Sequence, residues 1–137
     1  MEVIQPSAEK CIFNVRDVIA HRSNFQQNKF LVIENFIASD YVKTHFLPEI
    51  EQCMPSIHRV KVASFKKSGS VSSQLLKKHA PQLFALYHSS AMKYYIEKIV
   101  GEPLHCCPED DPHSVALYCY TEPGDHIGVH YDKSFYR

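Results

Sequence analysis

The sequence has no excess charge of either sign, because fifteen lysines and arginines balance fifteen aspartates and glutamates. A chain so balanced has no electrostatic claim on nucleic acid or on an anionic membrane surface. Its nine histidines add positive charge only below neutrality. No apolar run is long enough to cross a bilayer. The N-terminal Met1-Glu2-Val3-Ile4-Gln5-Pro6 lacks the basic start and apolar stretch of a secretory signal. Repeats and low-complexity segments are missing as well. The five cysteines (Cys11, Cys53, Cys106, Cys107 and Cys119) are odd in number and irregularly spaced, and adjacent Cys106 and Cys107 cannot form a CxxC pair. These absences lead us to expect a cytoplasmic chain with reduced thiols and no nucleic-acid or membrane partner. The remaining composition, 45% apolar and 22% charged over 137 residues, suits one ordinary globular domain with a modest core.

The spacing of apolar residues predicts a helical first half followed by strands, an α+β order. A short helix or edge segment is expected over 14–21, with a turn at Gln26-Gln27-Asn28. Branched and aromatic residues predict a strand over 29–36. Ser39-Asp40 predicts the start of a helix over 40–53, kinked or broken at Pro48. A strand is expected over 56–63 and a polar loop over 66–70. Further helices are expected from Val71-Ser72-Ser73 through His79, from Pro81 onward, and over 91–100. The last is capped by Ser89-Ser90 and stopped by Gly101. Within it, Met92, Tyr95, Ile96 and Ile99 recur at helical spacing and predict a core face. The acidic Glu109, Asp110 and Asp111 of the following loop are expected to be solvated rather than calcium-binding. Strands over 114–120 and 126–132 close the pattern, joined through the turn residues Glu122-Pro123-Gly124.

The chemistry concentrates in residues 118–137. Here an alternation of apolar and polar residues contains His130 and Asp132. Side chains at i and i+2 of a strand leave the same face. An imidazole and a carboxylate would therefore converge, supplying two of the three ligands of a 2-His-1-carboxylate iron site, while Tyr131 points the other way. A lone HxD is a weak signal, since such short patterns of common residues recur by chance as surface pairs. Tyr118 and Tyr120 share a face of the preceding strand. His126, four before His130, shares its side and reads as pocket lining or surface, and Asp125 reads as a turn residue. A hydrolase built on Cys119 and His130 is the weakest reading, because no cysteine sits in a nucleophile's turn.

Together, Tyr120, the Pro123-Gly124 turn, His130 and Asp132 resemble the prolyl-hydroxylase-like group of 2-oxoglutarate- and Fe(II)-dependent dioxygenases. In that group a strand tyrosine stands ten residues before the iron-binding histidine, as Tyr120 does before His130, with a proline-glycine turn between. Phe30 to Phe36, followed by Ser39-Asp40, resembles the early strand and helix of the same domain. The resemblance implies an incomplete double-stranded β-helix of the jelly-roll or cupin kind. It implies His130 and Asp132 as iron ligands, with Tyr120 as a hydrogen-bond donor to 2-oxoglutarate and Tyr118 as a second candidate. A core-aromatic role for Tyr120 stays open. The cofactors implied are Fe(II) and 2-oxoglutarate, and ascorbate is allowed.

The implied reaction consumes dioxygen, converts 2-oxoglutarate to succinate and hydroxylates an unactivated C–H bond of an amino acid, peptidyl residue or small molecule. Related halogenases carry a small residue in place of the carboxylate, so Asp132 implies hydroxylation. The family's second histidine and the basic residue that holds the cosubstrate both come well after the HxD. Its β-helix also takes about eight strands. The chain is therefore expected to be an N-terminal fragment of such a domain, binding iron weakly and turning nothing over alone. The competing expectation is a non-catalytic α+β interaction module with an incidental HxD.

Overall fold

The structure, a computed structural model, describes residues 17–108, 110–112 and 114–130. Helix α1 (Val18–Asn28) is followed by α2 (Ser39–Tyr41), a π-helical stretch (Val42–Phe46), α3 (Leu47–Cys53) and a 3-10 turn (Met54–Ser56). Strands β1 (His58–Val62) and β2 (Lys66–Val71) lead into helices α4 (Ser73–His79), α5 (Pro81–Tyr87) and α6 (Ser90–Val100). Strands β3 (Leu117–Cys119) and β4 (His126–Ile127) complete an antiparallel sheet that does not close among the described residues. The class is α+β, as expected, and the open sheet is consistent with an incomplete β-helix.

Local signals account for α6 and for the change of register before Pro48. Ser89 accepts the Met92 N–H at 3.0 Å, and Gly101 stops α6 at φ 88°, a backbone conformation that glycine adopts without strain. Of the predicted core stripe, Tyr95 and Ile99 are buried, whereas Ile96 is exposed. Pro48 has no N–H to return to the preceding turn. The hydrogen-bond ladder shifts register just before it, and the Leu47 N–H reaches back to the Val42 carbonyl. The helix is re-registered at this point rather than broken.

Three expectations are corrected. Gln26-Gln27-Asn28 is helix rather than turn, and α1 ends one residue later, at Lys29 with φ 63°. Residues 29–36 form no strand, and Phe30 and Val32 are 66% and 76% exposed. Strand propensity describes how a side chain fits a neighbouring strand, and among the described residues this segment has none beside it. Phe36 packs, stacked on Tyr95 at 5.4 Å between ring centroids. The third correction matters most, because the polar run 66–70, expected to be a loop, is the central strand of the sheet.

Along one side of β2 runs β1, paired from His58↔Ser70 to Val62↔Lys66. Along the other side lie β3, with Gly69↔Cys119 through Val71↔Leu117, and then β4, with Lys67↔His126 and Lys66↔Ile127. β3 and β4 are thus one edge strand interrupted by the turn 120–125. The small residues of β2 reflect lack of room. Ser68 is fully buried, and a Cβ added at Gly69 would strike the Ile57 side chain. The register puts Arg59, Lys67, Gly69, Val71, Leu117, Cys119 and His126 on one face, with Lys66, Ser68, Ser70, Tyr118 and Ile127 on the other.

The first face meets the helices in a core of Cys53, Val71, Leu76, Ala80 and Phe84. Ala80, the residue before α5, has no side chain that can cap a helix. Glu49 of α3 takes over that role from a distance, its buried carboxylate accepting the N–H groups of Gln82 and Leu83 at 3.0–3.1 Å. Glu49→Ala is expected to lower the unfolding free energy by about 1 kcal/mol, because two part-buried helix-end donors then lose their acceptor. Leu76→Ala, which opens a cavity in the core, is expected to cost about 2–5 kcal/mol. Urea unfolding measures both, and an unchanged midpoint for Glu49→Ala would show that the remote cap contributes nothing.

Candidate metal centre

The turn 120–125 is built around one carboxylate. Asp125 Oδ2 accepts the N–H groups of Thr121 at 2.9 Å and Glu122 at 3.0 Å, so the side chain holds its own turn closed. Gly124 supplies the left-handed corner at φ 81°. Arg59 of β1 then grips Asp125 with both terminal nitrogens, Nη1 to Oδ2 at 3.0 Å and Nη2 to Oδ1. The Asp125 side chain is only 2% exposed. Chiefly through the Arg59 hydrogen bonds, its carboxyl is held well below the usual carboxylate range, and the backbone donors act in the same direction. Glu122 closes the network, 3.2 Å from Arg59 Nη2 and 3.4 Å from Lys67 Nζ, while Lys67 donates to the Pro123 carbonyl at 2.9 Å.

Beyond the turn, β4 lies against the start of β2, and the Gly128 N–H donates to the Phe65 carbonyl at 2.7 Å. His130 follows, outside the strand that was expected to carry it. Its Nδ1 lies 2.8 Å from the Gly128 carbonyl, and its ring meets Phe65 edge-on at 6.1 Å between centroids. A carbonyl oxygen can only accept, so Nδ1 carries a proton, and in the neutral ring the lone pair is then on Nε2. Metal-binding imidazoles show this arrangement, with the second nitrogen donating to a carbonyl that sets tautomer and orientation. His130 therefore fits an iron ligand chemically. Asp132 lies outside the described residues, so the expected convergence of the two side chains is not described. Among the described residues no three histidine, cysteine, aspartate or glutamate side chains gather into a metal site.

Tyr118 and Tyr120 are 51% and 49% exposed, so Tyr120 is not a core aromatic. Tyr118 lies on the sheet face away from the helices, with Lys66 Nζ 4.4 Å from its ring centroid. Tyr120 stands just past the end of β3. Asp125 is the turn residue it was read as. His126 is exposed, with a ring nitrogen near each of two backbone carbonyls. Cys119 is buried on the core face, and burial pushes its thiol up from its ordinary value. This is the opposite of what a thiolate nucleophile needs.

The sequence reading passed over Arg59, Lys66 and Lys67. Only one signal pointed toward them, since an aspartate closing a turn beside strands needs a cation if it is to be buried. Nothing local says that the cation comes from position 59. Arg59→Gln is expected to lower the thermal midpoint at neutral pH. Because Asp125 is depressed in the folded state, the stability it contributes is complete above about pH 4 and is lost as pH falls through the lower folded value. The gap in midpoint between wild type and Arg59→Gln should therefore be constant near neutrality and narrow in acid. Thermal melts at a series of pH values test this, and a gap that stays constant into strong acid would refute the pairing.

No curated protein matches the chain. A family model described as Halogenase D matches residues 13–136, a span that includes the sheet, the Asp125 turn and both His130 and Asp132. Forming a carbon–halogen bond from halide is an oxidation, so the match agrees with an oxidoreductase class and does not reach as far as the prolyl-hydroxylase-like grouping. With nearly its whole length matched, the chain belongs to the halogenase D family.

Proposed function

We propose that the chain contributes to an Fe(II)- and 2-oxoglutarate-dependent oxygenase site, with His130 and Asp132 as metal ligands and Tyr120, seconded by Tyr118, addressing the cosubstrate. The observation that carries this reading is the seat of His130, with Nδ1 2.8 Å from the Gly128 carbonyl, which in the neutral ring puts the lone pair on Nε2. Iron with 2-oxoglutarate and dioxygen supplies the oxidising power to functionalise an unactivated C–H bond, with succinate as co-product. The chain's own residues do the positioning. Phe65 limits rotation of the His130 ring, and Arg59 and Asp125 hold the turn from which the ligand strand departs. The half-exposed tyrosines offer hydroxyl groups that a carboxylate or keto-acid can reach. Ascorbate would serve only to keep the iron reduced.

On this reading the substrate is an amino acid, a peptidyl residue or another small molecule, and the outcome is hydroxylation. Halogenation is the second reading, and the halogenase D match favours it. Asp132 argues the other way, because a carboxylate ligand fills the position that chloride takes where the residue is small.

The expected outcome is Fe(II)-dependent conversion of 2-oxoglutarate to succinate by the protein, reduced to background in His130→Ala. Turnover unchanged in that variant would remove His130 from the site, and turnover absent in the wild type would favour a non-catalytic interaction module. Chloride separates the two reactions. Anaerobic Fe(II) titrations of the wild type should be indifferent to chloride, whereas Asp132→Gly should become chloride-dependent. Chloride dependence already in the wild type would overturn hydroxylation.

A further inference from the structure

His126 lies four residues before His130 and is not used by the proposed site. Its Nδ1 is 2.9 Å from the Gly124 carbonyl and its Nε2 is 3.0 Å from the Ser64 carbonyl. Both partners are pure acceptors, and a neutral imidazole has only one N–H. Both contacts are hydrogen bonds only when the ring carries two protons. A neutral ring would turn a lone pair toward one of the carbonyls and lose that contact.

The two bonds differ in reach. The one to Gly124 is local, while the one to Ser64 crosses to the loop Ala63-Ser64-Phe65 that joins β1 to β2. That same loop seats His130. The Phe65 carbonyl accepts the Gly128 N–H at 2.7 Å, and the Phe65 ring lies edge-on against the His130 imidazole. The loop is held to β4 and the segment after it by the His126 bond on one side and the Phe65 contacts on the other.

We infer that doubly protonated His126 is a positioning residue for His130, locking the β1–β2 loop onto β4 and releasing it on losing a proton. The inference rests on the reading of His130 as a metal ligand. The charges around His126 work in both directions. Asp125 beside it favours the cation, and Lys67, its register partner on β2, opposes it. Arg59 and Glu122 act through their ion pairs with those two, and Lys61 of β1 stands across from Lys67, one strand further away. Ala63, Ser64 and Phe65 bring no charge. The two carbonyls raise the proton affinity of the ring above its ordinary value. The sign follows from that. The lock is complete below the ordinary histidine range and is lost as pH rises through the elevated folded value.

The test uses nuclear magnetic resonance on the metal-free protein, following the His126 ring through a pH titration together with the exchange protection of the Gly128 amide. The expected result is a midpoint above the ordinary histidine value of about 6.5. Gly128 protection, corrected for intrinsic exchange, should fall several-fold as the ring deprotonates. His126→Gln should remove that pH-dependent step, while His126→Arg, which keeps the charge and several donors, should preserve protection across the range. A merely structural residue would lower protection in the variants equally at every pH. An ordinary midpoint, or Gly128 protection that ignores the His126 titration in a folded protein, would overturn the inference. Fe(II) binding by wild type and His130→Ala is measured separately. Equal affinity there sinks the metal reading without touching the proton-linked lock, and a failed lock beside a lost affinity sinks only the lock.

Discussion

A bidentate ion pair between Arg59 and Asp125 determines where the candidate site lies. Without it, the edge of the sheet would be two short strands, three residues and two, separated by a loop with no reason to fold back. The carboxylate satisfies two backbone donors of its own turn, and the guanidinium satisfies the carboxylate. Each group neutralises the cost of burying the other. The planar fork of arginine suits this task in a way that a lysine ammonium does not. Because β3 and β4 pair with the same side of β2, closing the turn also aligns the two pieces of the edge strand. His130 emerges from that alignment.

What was legible in the sequence was local. Ser89 and Gly101 announced both ends of α6, and Pro81 announced the start of α5, because caps and fixed backbone angles act within a few residues. Two failures have one cause. Residues 29–36 carry the composition of a strand but have no partner, and residues 66–70 carry the composition of a loop but have three. A strand exists through its neighbours, and a central strand pressed against Ile57 needs small residues more than apolar ones. Hydrophobic alternation does not report that requirement.

The candidate site divides the same way. His130, Tyr118 and Tyr120 were visible because their residue types and spacing are themselves the signal. Their surroundings were not. The Phe65 ring beside His130 and the Lys66 ammonium over Tyr118 depend on the pairing of β2, a polar run that reads as a loop. Tyr118 lies on the sheet face turned away from the helices, while the pairing of Lys67 with His126 puts His126 on the other face.

The halogenase D match and the aspartate at position 132 bear on different parts of the problem. The match spans the frame, namely the sheet, the closed turn and the seated histidine, all within residues 13–136. On the proposed reading none of these distinguishes hydroxylation from halogenation, since either reaction needs a held metal and access for a cosubstrate. The distinction falls on one coordination position, which a protein carboxylate and an exogenous halide cannot both occupy. On the proposed reading, then, the reaction outcome is set by the side chain at 132 and not by the fold that carries it. On that same reading, an aspartate at 132 keeps out the halide after which the family is named.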